Sequence, residues 1–423
     1  MRTYAYQARA RDSENAYSAY SATCYFTVDS GKPNPPTLSS AVWPEWEDQE
    51  EWGPATGTAG RITFSGGGND VADYWYSVDT TSYDKKATLA GGVWYVDFKP
   101  VHAGPNVIYA KTKDKAGNWS DRTVFLTYAK PRDGIDGPGD TTGDQLPDLF
   151  VVDGNGDLRL YANLAKGDVN YSLDAAGQAE GKIEPGYWTG ALITHNGDYW
   201  GADGLQDLIA RMPDGKLWIY PGNGLGGVDV ARRTEMLLPA GSPNPADLSQ
   251  IVSVGDIDGD RKPDMLGTVG DAIWAFLGYT GGSVSKSVRM SSSPWLERDI
   301  VSAGDHNKDG AVDLVYRTYA SNRLLIRFGK KEGNGTSLTS LAAAVNSLTG
   351  KDEVYGSGGW DATNVRLLTG TPDANGDGIP DMWAVMGSDV APFYPGGAQV
   401  HGTPVEIVSA SDGVGWHNKK AIG

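Results

Sequence analysis

Oxygen-bearing side chains recur at fixed spacing along the last two-thirds of this chain. Three stretches carry the full set: Asp256, Asp258, Asp260 and Asp264; Asp305, Asn307, Asp309 and Asp313; and Asp373, Asn375, Asp377 and Asp381. Oxygens at positions 1, 3, 5 and 9 of a tight loop can wrap around one hard cation, and a backbone carbonyl near position 7 brings the set toward the six to eight that calcium takes. Two looser copies precede them. Asp140, Asp144 and Asp148 frame a loop with Thr142 at position 3, and Asp198, Asp203 and Asp207 frame one with an extra residue before Asp203. The spacing predicts calcium as the bound metal.

An EF-hand begins the same way but needs a bidentate Glu at position 12 and flanking helices. Position 12 is Gly267, Tyr316 and Ala384 in the three full loops, and no helical periodicity surrounds them. Asp, Asn and Gly also form ordinary polar turns. Five such turns in register, each running at once into an apolar strand, favour metal ligation.

The closing aspartates fall at intervals of 59, 57, 49 and 68 residues. After each comes a short apolar strand: Leu149 to Val152, Leu208 to Ala210, Met265 to Gly267, Leu314 to Tyr316, Met382 to Ala384. A second strand ending in an aromatic residue and Gly follows, as in Leu217 to Gly222 and Ile273 to Gly278. Before each later loop stands another apolar segment, such as Ile251 to Val254 or Val365 to Leu368. Alternating aromatic and β-branched residues punctuated by Gly predict antiparallel strands, four to a repeat. A period near 58 is too long for a solenoid rung and suits a propeller blade.

The Gly-Asp openings (Gly255-Asp256, Gly304-Asp305), the Asp-Leu or Asp-Met exits and the Tyr-Pro-Gly strand end make residues 134–423 resemble the FG-GAP (VCBS) repeat of integrin-α-type propellers and related bacterial extracellular proteins. The resemblance implies that each calcium loop joins a blade's innermost strand to its second. The first loop has no strand before it, while the chain finishes with Trp416 to Gly423, a segment like those preceding the other loops. The expectation is an all-β chain whose five-bladed β-propeller is closed by Lys419 to Ile422 pairing beside Leu149 to Val152.

The chain carries a net charge of −17, and the five loops hold 16 aspartates, so the remainder is close to neutral. No basic stripe is present to neutralise phosphates, which argues against nucleic acid. No stretch reaches membrane-spanning length.

Residues 1–130 repeat differently. The run from Val107 to Ser120 echoes the run from Ala5 to Ser18, and each continues into an apolar strand. This resembles the last hairpin of an immunoglobulin-like or fibronectin-III-like domain. Residues 36–129 are expected to form one such β-sandwich and residues 1–30 the remnant of a preceding copy, with Pro33 to Pro36 as linker. Two strands cannot be stable alone, so the chain reads as the C-terminal piece of something longer or as one that starts at a late Met. No signal peptide is visible, and the single Cys24 leaves the redox compartment open. Calcium loops of this type fill at extracellular calcium levels, which places the protein outside the cell or on its surface.

The five histidines are scattered, and no nucleophile elbow or phosphate loop occurs. His306 sits in a loop at a non-ligand position and is expected to face solvent. Five-bladed propellers do host glycoside hydrolases with two carboxylates at the axis, but Glu235, Asp299 and Glu353 form no pair in the sequence. Recognition is the other class. Tryptophans recur before the loops at Trp188, Trp295, Trp360 and Trp416, and aromatic faces stack on sugars. The resemblance makes them candidate ligand contacts, since lectin-like members hold carbohydrate between blades; packing between sheets is the competing role, as for Trp218, Trp274 and Trp383. The reading is a non-catalytic, calcium-stabilised binding module for carbohydrate or a cell-surface ligand, with integrin-like adhesion to an extracellular protein and an axial hydrolase as alternatives.

Overall fold

The computed structural model describes residues 2–46, 51–132, 134–167, 169–177, 183–290, 295–343, 350–407 and 415–423. It is all-β, built from small antiparallel sheets, none of them closed into a barrel among the described residues, and it divides into two compact units. The first unit comprises residues 1–51, 59–98 and 107–127, and the second comprises 52–58, 99–106 and 128–423. Segments 52–58 and 99–106, expected in the sandwich, fall in the second unit; Gly53 donates to the Tyr128 carbonyl, Thr56 to Lys130, and Gly57 to Pro100.

In the first unit, Pro36–Ser40, Gly60–Gly66, Val93–Phe98 and Thr88–Ala90 form one four-stranded sheet. Val71–Val78 and Lys85–Lys86 join Gly104–Asp114 and Thr123–Ala129 in a second. Their shared core holds Trp43, Ile62, Phe64, Tyr74 and Phe125, with Phe64 and Tyr74 bringing the two sheets into ring contact at 5.8 Å. Arg2–Tyr6 and Cys24–Val28 pair as a separate hairpin whose residues are all exposed. The internal repeat is legible in hydrogen bonds. Asp12 donates to the Ala16 carbonyl as Asp114 does to Asn118, and Ser18 donates to Ala10 as Ser120 does to Thr112. The Ser18 and Ser120 hydroxyls accept from Ala10 and Thr112 in turn, both at 2.9 Å.

Among the described residues the second unit contains five four-stranded sheets. Sheets 2 to 5 each begin with a strand leading into an aspartate loop: Leu192–His195, Gln250–Gly255, Arg298–Gly304 and Val365–Thr371. The next strand follows the loop in each: Leu208–Arg211, Asp264–Val269, Asp313–Thr318 and Asp381–Met386. Sheet 1 has Leu149–Val152, Leu158–Asn163 and Val169–Asp174, and its fourth member is Ala421–Ile422 from the chain end. Val151 pairs with Ile422 and Val152 with Ala421, and Phe150 and Gly423 exchange two hydrogen bonds at 3.0 Å. The expected pairing therefore forms, although only the last residues are strand and Trp416–Asn418 is a 3₁₀ turn.

The first strands neighbour one another in succession, and Ala421–Ile422 touches both Val365–Thr371 and Leu192–His195. Each sheet presents alternate side chains to two neighbours, as the period of two requires. Phe150 and Leu160 of sheet 1 pack with Ile193 and Leu208 of sheet 2, while Val151 and Tyr161 pack with Trp383 and Phe393 of sheet 5. Three further apolar clusters join sheets 2 and 3, 3 and 4, and 4 and 5.

Candidate metal loops and the cavity between the sheets

The loop backbone is set by its first and last aspartates. In the loop at Asp256, that carboxylate accepts from the N–H groups of Gly259, Asp260 and Arg261 at 2.7–3.0 Å. Asp373 does the same for Gly376, Asp377 and Gly378, and Asp140 for Gly143, Asp144 and Gln145. Asp305 takes Asp309 and Gly310. Position 6 is left-handed in all four, at Gln145, Arg261, Gly310 and Gly378, and so is position 4, where three of the four residues are Gly. That conformation lets successive N–H groups turn inward onto one carboxylate.

The closing aspartates make one contact pattern five times over. One oxygen accepts the N–H of the residue after the loop's first Asp: Thr141 to Asp148, Tyr199 to Asp207, Ile257 to Asp264, His306 to Asp313 and Ala374 to Asp381, at 2.6–3.1 Å. The other accepts from the end of the following strand: Asn163, Gly222, Gly278, Gly329 and Gly396. Each of these carboxyls is a buried latch between loop and sheet. Burial pushes Asp207, Asp264, Asp313 and Asp381 up to about 7, with neighbouring acids adding to it, and raises Asp148 well above the carboxylate range.

Metal-ligating geometry is clearest at the third loop. Asp256, Asp258 and Asp260 offer carboxylate oxygens within 4.8 Å of one another, accessible to solvent, and Asp264 is outside that group. In the next loop Asn307 and Asp309 are hydrogen-bonded to each other beside Asp305, and Asn375 bonds Asp381 beside Asp373 and Asp377. The first loop differs. Asp144 accepts the Ala103 N–H at 2.7 Å, and the Thr142 hydroxyl oxygen at position 3 is buried with no partner. In the second, Asp198 accepts from Gly204, and Asp203 from Leu205 within its own turn. A further group, with no spacing motif to announce it, lies in the first unit, where carboxylate oxygens of Asp29, Asp70 and Asp114 come within 4.8 Å of one another. Asp114 is buried there and holds Asn118 by two bonds.

Two expectations are corrected. His306 does not face solvent: it is fully buried beside Ser302 and Tyr355, and burial pushes its imidazole down to about 4. Trp188, Trp295, Trp360 and Trp416 are not available for stacking on a ligand. All are buried, each in a different inter-sheet core: between sheets 1 and 2, 3 and 4, 4 and 5, and 5 and 1 respectively. In four of the five inter-sheet cores a large flat side chain thus fills the wedge between adjoining sheets. Of the second-strand set, Trp383 is buried and donates to the Gly167 carbonyl, whereas Trp218 and Trp274 are half-exposed.

The first strands enclose a cavity of about 660 Å³. Polar side chains stitch the strands around it. Ser253 donates its N–H to the Thr194 hydroxyl, and the Gln250 amide exchanges two bonds with Ile300. Arg317 donates to the Val365 carbonyl, and Arg366 to those of Trp416 and Lys419. His195 closes the circuit at 3.0 Å from the Gly139 carbonyl. The acids lining this space are engaged: Asp299 pairs with Arg317 and accepts from Tyr319, while Asp305 and Asp373 hold their loops. A second hollow of about 430 Å³ lies between sheets 4 and 5 beside the fourth loop, lined by Asn307, Asp309, Lys330, Lys331 and Gln399 among others. The Lys330-Lys331 pair follows Phe328-Gly329, at the place where sheet 2 has Asn223-Gly224 after Pro221-Gly222, the one mark of it in the sequence.

No family model and no curated protein matches the chain. Among solved structures it is similar, at 12% identity and a TM-score of 0.36, to a triple arginine-to-alanine mutant of AofleA from Arthrobotrys oligospora, covering 89% of this chain and 91% of that one. It is similar at 10% identity and a TM-score of 0.26 to BBS1N in complex with ARL6DN, covering 69% and 74%. An ACO/RPE65 chimera follows at 10% identity and 0.19, covering 78% and 59%. Among the described residues no helix is long and apolar enough to cross a membrane.

Proposed function

We propose that residues 134–423 form a five-bladed, calcium-stabilised propeller of the FG-GAP/VCBS kind, carried with an immunoglobulin-like sandwich. In this reading it acts outside the cell as a non-catalytic binding module for carbohydrate or another cell-surface ligand. The observation that carries it is the loop itself: one backbone shape, one first-Asp cradle and one closing latch, repeated between first and second strands. Asp256, Asp258 and Asp260 would hold one calcium ion, with the Asp305 and Asp373 loops offering an Asn at position 3 of like sets. Calcium supplies positive charge where several carboxylates crowd together, and binding to the native state alone stabilises it. The number of loops and the successive neighbouring of five first strands support the ring.

Since the recurring tryptophans are packed away, ligand contact in this reading moves to the hollow beside the fourth loop. Its amide, carboxylate and ammonium groups suit a polyhydroxylated ligand. Adhesion to a protein is the alternative outcome; a hydrolase is disfavoured because Asp299 is committed to Arg317. The test is calcium titration of the full chain by thermal unfolding, followed by a glycan array with wild type and Lys331→Ala. A calcium-dependent rise in Tm and glycan signals lost in the variant are expected. No Tm response would sink the metal reading, and a silent array with retained binding to cell-surface protein would sink the carbohydrate one.

A further inference from the structure

The cavity between the first strands has a cationic end and an apolar wall. Leu192, Val252, Ala303, Leu368 and Ile422, one from each sheet, line it and are partly exposed. At the end where the first strands begin stand Asp299, Arg317, Arg366 and Lys420. Asp299 and Arg317 neutralise each other, and the Tyr319 hydroxyl takes a further place on Asp299. Arg366 spends only part of its donor fork on the Trp416 and Lys419 carbonyls. Lys420 is exposed, its backbone N–H fixed to the Val152 carbonyl at 2.7 Å. Asp389, the acid acting on Arg366 from outside the cavity, is held by the His417 N–H and ring. The opposite end carries Asp305 and Asp373, with His195 neutral. The five residue steps from Arg366 to Thr371 separate the two ends by about 17 Å at strand rise. In a chain of net charge −17, the cavity end at Arg366 and Lys420 is therefore cationic.

We propose that this cavity binds a small amphipathic organic anion, its apolar body against the five-sheet wall and its head group at Arg366 and Lys420. The volume falls within the range of small-molecule sites, and such sites pair an apolar lining with a few placed polar groups. The head group lies at the end where Arg366 and Lys420 can pair with it. A guanidinium and an ammonium recognise carboxylate and sulfonate alike.

The probe is 8-anilinonaphthalene-1-sulfonate, titrated into the full chain by fluorescence, with neutral N-phenyl-1-naphthylamine as its uncharged counterpart. One saturable site is expected, with the anion bound more tightly than the neutral probe. Lys420→Glu should weaken anion binding by about tenfold, a difference of roughly 1.4 kcal/mol, and leave the neutral probe within twofold. Val252→Trp, which fills the wall without touching a charge, should abolish both. Unsaturable emission, equal affinity for the two probes, or binding that survives Val252→Trp with a native near-ultraviolet circular dichroism spectrum would overturn the proposal. Emission that appears only as that spectrum is lost reports unfolding and counts against it too.

Discussion

Sheets 1 and 3 share a loop shape and differ in almost everything the loop is attached to. In sheet 3, the loop at Asp256 joins two strands adjacent in sequence, and three carboxylates converge in reach of solvent. In sheet 1, the loop at Asp140 leads into Leu149–Val152, whose inner partner arrives from the chain end. Its carboxylates are partly occupied by the protein, with Ala103 donating to Asp144. Yet both loops place left-handed residues at positions 4 and 6 and close on a buried Asp. Positions 1 and 9 therefore shape the loop by binding backbone N–H groups in both, and the two loops differ at positions 3 and 5: Thr142 and Asp144 in one, Asp258 and Asp260 in the other.

Removing residues 415–423 tests the first half of that contrast and carries the largest effect. Sheet 3 loses nothing, but sheet 1 loses its inner strand and Trp416 leaves the core between sheets 5 and 1. A buried tryptophan alone accounts for about 3–5 kcal/mol, so urea unfolding of the second unit should shift by at least that much, with association through the bared strand edge. A monomeric truncation with an unchanged midpoint would refute the role given to the C-terminal strand.

Next in size, Asp264→Ala and Asp148→Ala should cost about equally, roughly 3 kcal/mol each, because each strands buried N–H groups on both sides of its latch. The cost should persist in chelator. If either variant matched wild type in EDTA, the closing aspartates would be metal ligands and nothing more.

A smaller effect separates the loops by metal. In saturating calcium, Asp260→Ala should lower Tm more than Asp144→Ala, since a site at one hundred times its Kd contributes about 2.7 kcal/mol. In chelator the order should reverse, because Asp144 still holds Ala103 while Asp260 has only Lys262 and its own turn. An order that does not change with calcium would erase the distinction.

The smallest concerns Thr142. Its hydroxyl is buried without a partner, so Thr142→Val should be neutral or stabilising by up to about 1 kcal/mol in chelator. Should the gain turn into a loss when calcium is added, the first loop uses that oxygen for the cation after all.

Much of this could be read from residue types and spacing. The five loops, the strands on either side of them and the pairing of the chain end with Leu149–Val152 all follow from apolar alternation and from one loop lacking a strand before it. The echo of Ala5 to Ser18 in Val107 to Ser120 likewise reappears as matching turn hydrogen bonds, because local Asp and Ser side chains dictate those turns. What the types could not say is where each side chain points. A tryptophan before a loop can stack on a sugar or fill a wedge, and only the second sheet beside it decides; here Trp188, Trp295, Trp360 and Trp416 are all covered. An aspartate at position 9 can face a cation or a backbone N–H, and the N–H groups of Gly278, Gly329 and Gly396 are brought to it by strands 14–16 residues onward. His306 is buried for the same reason, since Tyr355 of the same sheet lies 49 residues away. Sequence fixes what a group is able to bind; proximity across the fold fixes what it does bind.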